Sequence, residues 1–278
     1  MSKGIALHIG INKVDNEYYG VEIPPLLACE NDAIEWEKIS QSKGFNSQVL
    51  LSSSATADNI IKQIKNSAKQ LKSGDVFFLT YSGHGSQIPD LNHDEEDSLD
   101  ECWIAYDKPI LDDELEILWT KFNEGVKIVL ISDSCHSGTM VKSLKRRKIL
   151  HPRNLSFTVR NQIWSDHKKY NKLIKKLDKL ADKKGNLELK ANIICLSACQ
   201  DYQLAFEGEN HGLFTECLLK IIHQNEKPKW GQKPKRLTAN YLINTAKKML
   251  KGKQIPMYYK SDNITRTYLL QEIFSLTN

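Results

Sequence analysis

Cysteine, glycine and proline are all scarce in this chain of 278 residues, at six, 14 and eight. Six thiols at positions 29, 102, 135, 195, 199 and 217, several within apolar runs, make no disulfide framework, and reduced side chains are expected. So little glycine and proline excludes a collagen-like or low-complexity chain. No run of about 18 apolar residues offers a membrane span. The opening Met1-Ser2-Lys3-Gly4-Ile5 runs into a strand-like stretch and lacks the layout of a secretory leader. These absences lead to the expectation of a cytoplasmic protein without a membrane partner.

What is present is an uneven distribution of charge. The formal net charge of +5 suggests a nucleic-acid partner. From Val141 to Lys184, however, there are 15 Lys and Arg against three Asp and Glu, which leaves 24 against 31 elsewhere. The basicity belongs to one segment, a +12 stretch carried by a −7 body. That segment offers only Phe157, Trp164 and Tyr170 for stacking and no nucleic-acid motif, so nucleic acid is not the expected partner.

Four short apolar runs, Ile5 to Ile11, Val76 to Tyr81, Val126 to Ile131 and Ile193 to Leu196, are continuous and not alternating, as in strands buried on both faces of a parallel sheet. Between them Asn31 to Lys43, Thr56 to Leu71 and Asp112 to Phe122 carry apolar residues at helical spacing, as do Gly212 to His223 and Leu237 to Leu250 further on. Thr56 and Asp112 are candidate caps, and Gly44 and Gly74 candidate stops. Short apolar pieces remain at Met257 to Tyr259 and Tyr268 to Leu270. The fold class is α/β, a three-layer α/β/α sandwich with a mostly parallel central sheet. A single domain over 1–278 is expected, interrupted by a basic insertion at 141–190 that is partly flexible and holds a Lys-rich helix from Lys168 to Leu180.

Two of the apolar runs end in polar turns that contain glycine: Tyr81-Ser82-Gly83-His84-Gly85 and Asp133-Ser134-Cys135-His136-Ser137-Gly138. Reactive groups in open α/β sheets gather beyond the carboxyl ends of the strands. A thiol is mostly protonated at neutral pH, so an imidazole from a neighbouring strand is the partner that thiolate attack on a carbonyl requires. His84 and Cys135 are the candidate catalytic pair, and the backbone N–H groups of Gly85 and Cys135 are the candidate oxyanion donors. A zinc site on His84, Cys135 and His136 is the alternative, but it matches no common ligand spacing.

These two motifs, 51 positions apart from His84 to Cys135, resemble the dyad of the metacaspases and their bacterial relatives, the orthocaspases. The resemblance extends over Ala6 to Asn12, Leu27 to Ala33, Ser197-Ala198-Cys199-Gln200-Asp201 and His211-Gly212-Leu213-Phe214-Thr215. It implies a caspase-like fold, a monomer, and hydrolysis of polypeptides after Arg or Lys. It also implies a specificity pocket lined by Cys29, Asp32, Ser82 and Asp133, whose two carboxylates would offset the desolvation of a cationic side chain. Asp32 as a helix cap and Asp133 as a turn residue are the plainer alternatives.

Between Asp90 and Glu116 lie 12 Asp and Glu and one Lys. The family's calcium ligands would correspond to Asp100, Asp112 and Asp113. The position of a further family carboxylate holds Lys142, which would weaken such a site by lost coordination and by repulsion, so calcium is a doubtful cofactor and none is required for the chemistry. The insertion stands where such enzymes carry a processing loop, making Lys142, Lys145, Arg146, Arg147, Lys148 and Arg153 candidate self-cleavage sites. The competing readings are a nucleic-acid-binding protein and a catalytically silent regulator.

Overall fold

The computed structural model describes residues 2–89, 99–134, 151–164, 188–199, 205–228 and 230–276. Its strands are β1 (Gly4–Gly10), β2 (Asn46–Leu51), β3 (Val76–Ser82), β4 (Gly85–Pro89), β5 (Leu99–Ile104), β6 (Pro109–Leu111), β7 (Lys127–Asp133), β8 (His151–Pro152), β9 (Asn192–Ser197), β10 (Phe206–Glu207) and β11 (Met257–Lys260). Six form the central sheet in the order β11-β9-β7-β3-β1-β2, parallel except for the antiparallel β9–β11 pair. The four apolar runs supply β1, β3, β7 and β9, which lie side by side in the sheet.

Successive side chains of these strands point to opposite faces, and each face meets helices. Ala6, Phe78, Val129, Ile194 and Leu196 pack with Trp36 and Ile39 of the helix Cys29–Ser42, and with residues of the helices Leu213–Glu226 and Ala239–Leu250. Leu7, Ile9, Phe77, Leu79 and Ile128 pack with Ile60 and Ile64 of the helix Ala57–Gln70, and with Leu115 and Leu118 of the helix Asp112–Trp119. The rings of Trp36 and Phe78 meet edge-on at 5.7 Å, and truncating either to Ala would cost about 3–5 kcal/mol. Thr56 caps its helix through the Asn59 N–H, and Gly44 and Gly74 take left-handed φ of +86° and +87° at the turns predicted for them.

Two local expectations, the Asp112 cap and the loose insertion, are revised, and two unassigned stretches gain a structure. Asp112 is the first residue of its helix, with Leu111 in the cap position, and its carboxylate accepts from the N–H of Asp113. The acidic stretch includes β5 and β6, which join β4 in an antiparallel side sheet. The Tyr268 piece is the last turn of a short helix, Arg266–Leu269. Within the basic insertion, residues 151–164 return to the body, where β8 pairs with β10 and Arg153, Leu155 and Ile163 are buried. The Lys168 to Leu180 stretch lies outside the described residues.

The parallel register places Gly10, Ser82 and Asp133 in one row at the carboxyl ends of β1, β3 and β7. A side chain on Gly10 would run into the Cys29 carbonyl at 2.3 Å, so the missing Cβ lets the first turn of the Cys29–Ser42 helix sit against that row.

Candidate active site

His84 follows β3 in a turn fixed by Tyr81. The Tyr81 hydroxyl donates to the carbonyl of His84 at 2.7 Å and to that of Ile104 at 3.2 Å, and its ring stacks on Trp103 with centroids 4.3 Å apart. A Cβ on Gly83 would stand 2.7 Å from that hydroxyl, which explains the glycine. The imidazole is only 4% exposed, and its Nε2 lies 2.9 Å from the Pro24 carbonyl. A carbonyl can only accept, so Nε2 carries the proton and Nδ1 keeps its lone pair. Nδ1 is buried without a hydrogen-bond partner among the described residues. Burial lowers the pKa of His84, against the opposing pull of the Pro24 and Arg153 carbonyls.

Beside this turn lies a pocket built from five elements: the helix Cys29–Ser42, β3, β7, β10 and the start of the helix Leu213–Glu226. Asp32 reaches it from the first turn of the helix Cys29–Ser42, whose cap position is Ala28, so the carboxylate does not serve as the cap. Its Oδ1 accepts from the Gly212 N–H at 3.1 Å and faces Nδ1 of His211 at 3.0 Å; its Oδ2 accepts from the Ser82 hydroxyl at 2.5 Å. Asp133, at the end of β7, accepts on Oδ2 from both the N–H and the hydroxyl of Thr215, at 3.0 and 2.7 Å. Glu207 anchors the wall by accepting from the N–H groups of Leu27 and Ala28. The Cys29 thiol is held protonated by burial, although Arg153 pulls the other way.

The guanidinium of Arg153 fills this pocket and is 0% exposed. Nη2 donates to Asp32 Oδ2 at 2.7 Å and lies 3.9 Å from Glu207 Oε2. Nη1 donates to the Ser82 hydroxyl at 2.7 Å and to the Asp133 carbonyl at 2.8 Å, and it stands 3.2 Å from Asp133 Oδ1. Burial works against the charge on Arg153, but the carboxylates of Asp133 and Asp32 outweigh it, and the guanidinium stays charged. For Asp133, burial pushes the carboxyl up, while Arg153 and the two Thr215 donors oppose the shift. Gly212 has no room for a side chain: a Cβ would sit 2.3 Å from Asp133 Oδ2 and 2.6 Å from Arg153 Nη1.

The structure thus brings Cys29, Asp32, Ser82, Asp133, His84 and Gly85 to one sheet edge. Arg153, expected as one of six self-cleavage candidates in the processing loop, is inside the pocket, where buried carboxylates require a cation. Cys135, Lys142, Lys145, Arg146, Arg147 and Lys148 lie outside the described residues. Asp100 belongs to β5, and Asp112 and Asp113 follow β6; among the described residues no three His, Cys, Asp or Glu are grouped to hold a metal ion. The sequence reading missed Pro24, Glu207, His211 and Thr215. Of these, His211 and Thr215 carry a signal in the sequence, as members of the His211-Gly212-Leu213-Phe214-Thr215 run of the family resemblance, which assigns them no role.

A caspase domain family model matches residues 3–268. Metacaspase-7 of Arabidopsis thaliana is 35% identical over 153 residues, which cover 51% of this chain and 36% of that protein. Metacaspase-2 of Trypanosoma brucei brucei is 26% identical over an alignment covering 98% of this chain and 77% of its own. The match therefore spans little more than a third of the plant relative and about three quarters of the trypanosome one. Among solved structures, a Geobacter sulfurreducens protein superposes with a TM-score of 0.83 at 33% identity, covering 99% of this chain and 100% of that one. Caspase-1 from Spodoptera frugiperda, with a TM-score of 0.57 at 12% identity over 93% of this chain and 86% of its own, shares the fold. A match running from residue 3 to residue 268, with metacaspases as relatives and a caspase arrangement of strands beneath it, makes the chain a metacaspase-like member of the caspase family of cysteine peptidases.

Proposed function

We propose that the protein is a cysteine endopeptidase that hydrolyses polypeptides after Arg or Lys, with Cys135 as nucleophile, His84 as proton carrier, and the basic insertion as a substrate of its own. One observation carries the specificity: a fully buried guanidinium held by Asp32, Ser82 and Asp133. Such a pocket would leave two carboxylates uncompensated around an apolar or acidic side chain, a cost of several kcal/mol. A cation in the substrate offsets it.

His84 suits the chemistry because burial keeps the ring neutral, with Nδ1 available as acceptor. The Cys135 thiolate, formed as His84 takes the thiol proton, attacks the carbonyl carbon. The oxyanion accepts from the N–H of Gly85 and, on sequence grounds, from that of Cys135. His84 then returns the proton to the leaving amine, and water hydrolyses the thioester.

Fluorogenic peptides ending in Arg, Lys or Asp, assayed with calcium and with chelator, test the proposal. Release is expected after Arg and Lys, absent in Cys135→Ala and reduced about 10²–10⁴-fold in His84→Ala. The acid limb of kcat/KM should fall below pH 6.5, since activity is lost as pH drops through the lowered pKa of His84. Release only after Asp, or equal release by Cys135→Ala, would refute it.

A further inference from the structure

Asp32 has a second basic partner that the proposed chemistry does not use. Its Oδ2 meets Arg153 Nη2 at 2.7 Å, and its Oδ1 meets Nδ1 of His211 at 3.0 Å. A carboxylate can only accept, so Nδ1 keeps its proton and Nε2 is the nitrogen that titrates. The turn bearing His211 is fixed in place: Glu207 bridges to Gly212, the Gly208 N–H donates to the His211 carbonyl at 2.8 Å, and Asn31 Nδ2 donates to the Asn210 carbonyl at 3.2 Å. Arg153 and Asp32 are sealed from solvent, whereas the His211 side chain is 24% exposed and exchanges protons with water. The charged groups acting on the ring are Asp32 and Glu35 of the helix Cys29–Ser42 and Glu216 of the helix Leu213–Glu226, and all three favour the imidazolium. Glu209 belongs to the turn itself, and Arg153 stands across the shared carboxylate. Glu35 and Glu216 pair with Lys38 and Lys220, so the hydrogen bond to Asp32 is the main influence, and it raises the pKa of His211.

We infer that His211 is a positioning residue that sets the pocket's specificity through Asp32: its imidazolium and the substrate's cationic side chain compete for that carboxylate, so entry of the cation drives a proton from His211 Nε2 into solvent. The inference rests on the endopeptidase reading, in which Arg153 holds the place of the substrate cation. With the pocket filled, a protonated His211 puts two positive charges on one carboxylate, and their repulsion is stronger in the protein interior than in water. With the cation gone, the same imidazolium compensates a carboxylate that would otherwise be buried alone. Linkage makes the effect reciprocal: the factor by which the cation lowers the proton affinity of His211 is the factor by which the proton lowers the affinity for the cation. Cationic substrates are therefore held tightly where His211 is neutral and weakly where it is charged, and discrimination against neutral side chains narrows as pH falls. This limb lies in binding and above pH 6.5, whereas the limb set by His84 lies in the chemical step and below it.

Two measurements test this. In the full chain carrying Cys135→Ala, the His211 ring resonance, identified by its loss in His211→Gln, is titrated by NMR with Arg153 in place and again with Arg153→Gln. Its proton affinity should be about tenfold or more higher without the pocket cation, and equal midpoints overturn the inference. In the active enzyme, KM for a fluorogenic Arg peptide should rise about tenfold as pH falls from 8.5 to 6.5, while kcat changes by less than about twofold; in His211→Gln, KM should be flat over the same span. A flat KM in the wild type, or an undiminished rise in His211→Gln, overturns the inference even where Arg153→Gln fails to fold, and leaves the proposed function standing. Failure to cleave any Arg or Lys peptide overturns the proposed function itself, and the titration then decides whether the proton and the pocket cation are linked.

Discussion

Two buried polar clusters lie one step apart along β1 and β3, and they are built on opposite rules. Inside the sheet, His8 stands opposite Thr80. Its Nδ1 meets the Thr80 hydroxyl at 3.0 Å, its Nε2 meets the Ser40 hydroxyl at 2.8 Å, and Ser40 in turn meets Ser47 at 2.7 Å. Two residues on, at the strand ends, the row of Gly10, Ser82 and Asp133 opens onto the pocket. The first cluster is neutral and satisfied, whereas the second is charged and incomplete. The buried side-chain atoms without a hydrogen-bond partner among the described residues are His84 Nδ1, Ser86 Oγ, Asp133 Oδ1 and Arg153 Nε. Asp133 and Arg153 are in the pocket, His84 is in the turn beside it, and Ser86 follows that turn on β4.

The contrast breaks most sharply at Asp32. Asp32→Asn keeps the shape but leaves a buried guanidinium short of a carboxylate, and kcat/KM for Arg peptides should fall about a hundredfold or more, with little change in the far-ultraviolet circular dichroism. An unchanged kcat/KM would remove Asp32 from the pocket's function.

His8 tests the other side. Burial pulls its pKa from 6.5 down to about 3, so the unfolded chain binds the extra proton between those values. The stability contributed by the neutral ring is complete above pH 6.5 and is lost as pH falls through the window, at a slope approaching about 1.4 kcal/mol per pH unit from this group. Urea midpoints measured from pH 7 to pH 4 should show that slope flattened in His8→Gln. A parallel dependence in the variant would mean that the ring carries no such role. A smaller effect should separate the two cations: the planar fork of Arg153 uses both Nη groups, which a lysine ammonium cannot reproduce, so Arg peptides should exceed Lys peptides by about tenfold in kcat/KM. Equal values would mean that the pocket reads charge alone.

The central strands were legible in the sequence because β1, β3, β7 and β9 lie next to one another and need unbroken apolar runs. β2 was not, since it is an edge strand whose burial is complete only at Leu50. β5 and β6 were hidden within a stretch whose composition reads as an acidic loop, although Cys102, Ile104, Ile110 and Leu111 are buried there. The pocket residues followed from the family resemblance and not from spacing. Glu207, Thr215 and His211 converge on it from a region more than 70 residues beyond Asp133, a distance that no local pattern bridges. Arg153 was named, but its place required three dimensions: a +12 segment gives no sign of which cation turns inward.

The Tyr81 hydroxyl, bonded to the carbonyls of both His84 and Ile104, also has a consequence for timing. It fastens the turn bearing the imidazole to the side sheet, with Trp103 stacked on its ring. The rotational freedom of that turn is given up once, on folding, and not at every catalytic cycle. Fluctuations of the imidazole should therefore follow those of β4 to β6 as one body, so the stiffness of an outlying three-stranded sheet sets how often the proposed base is in position.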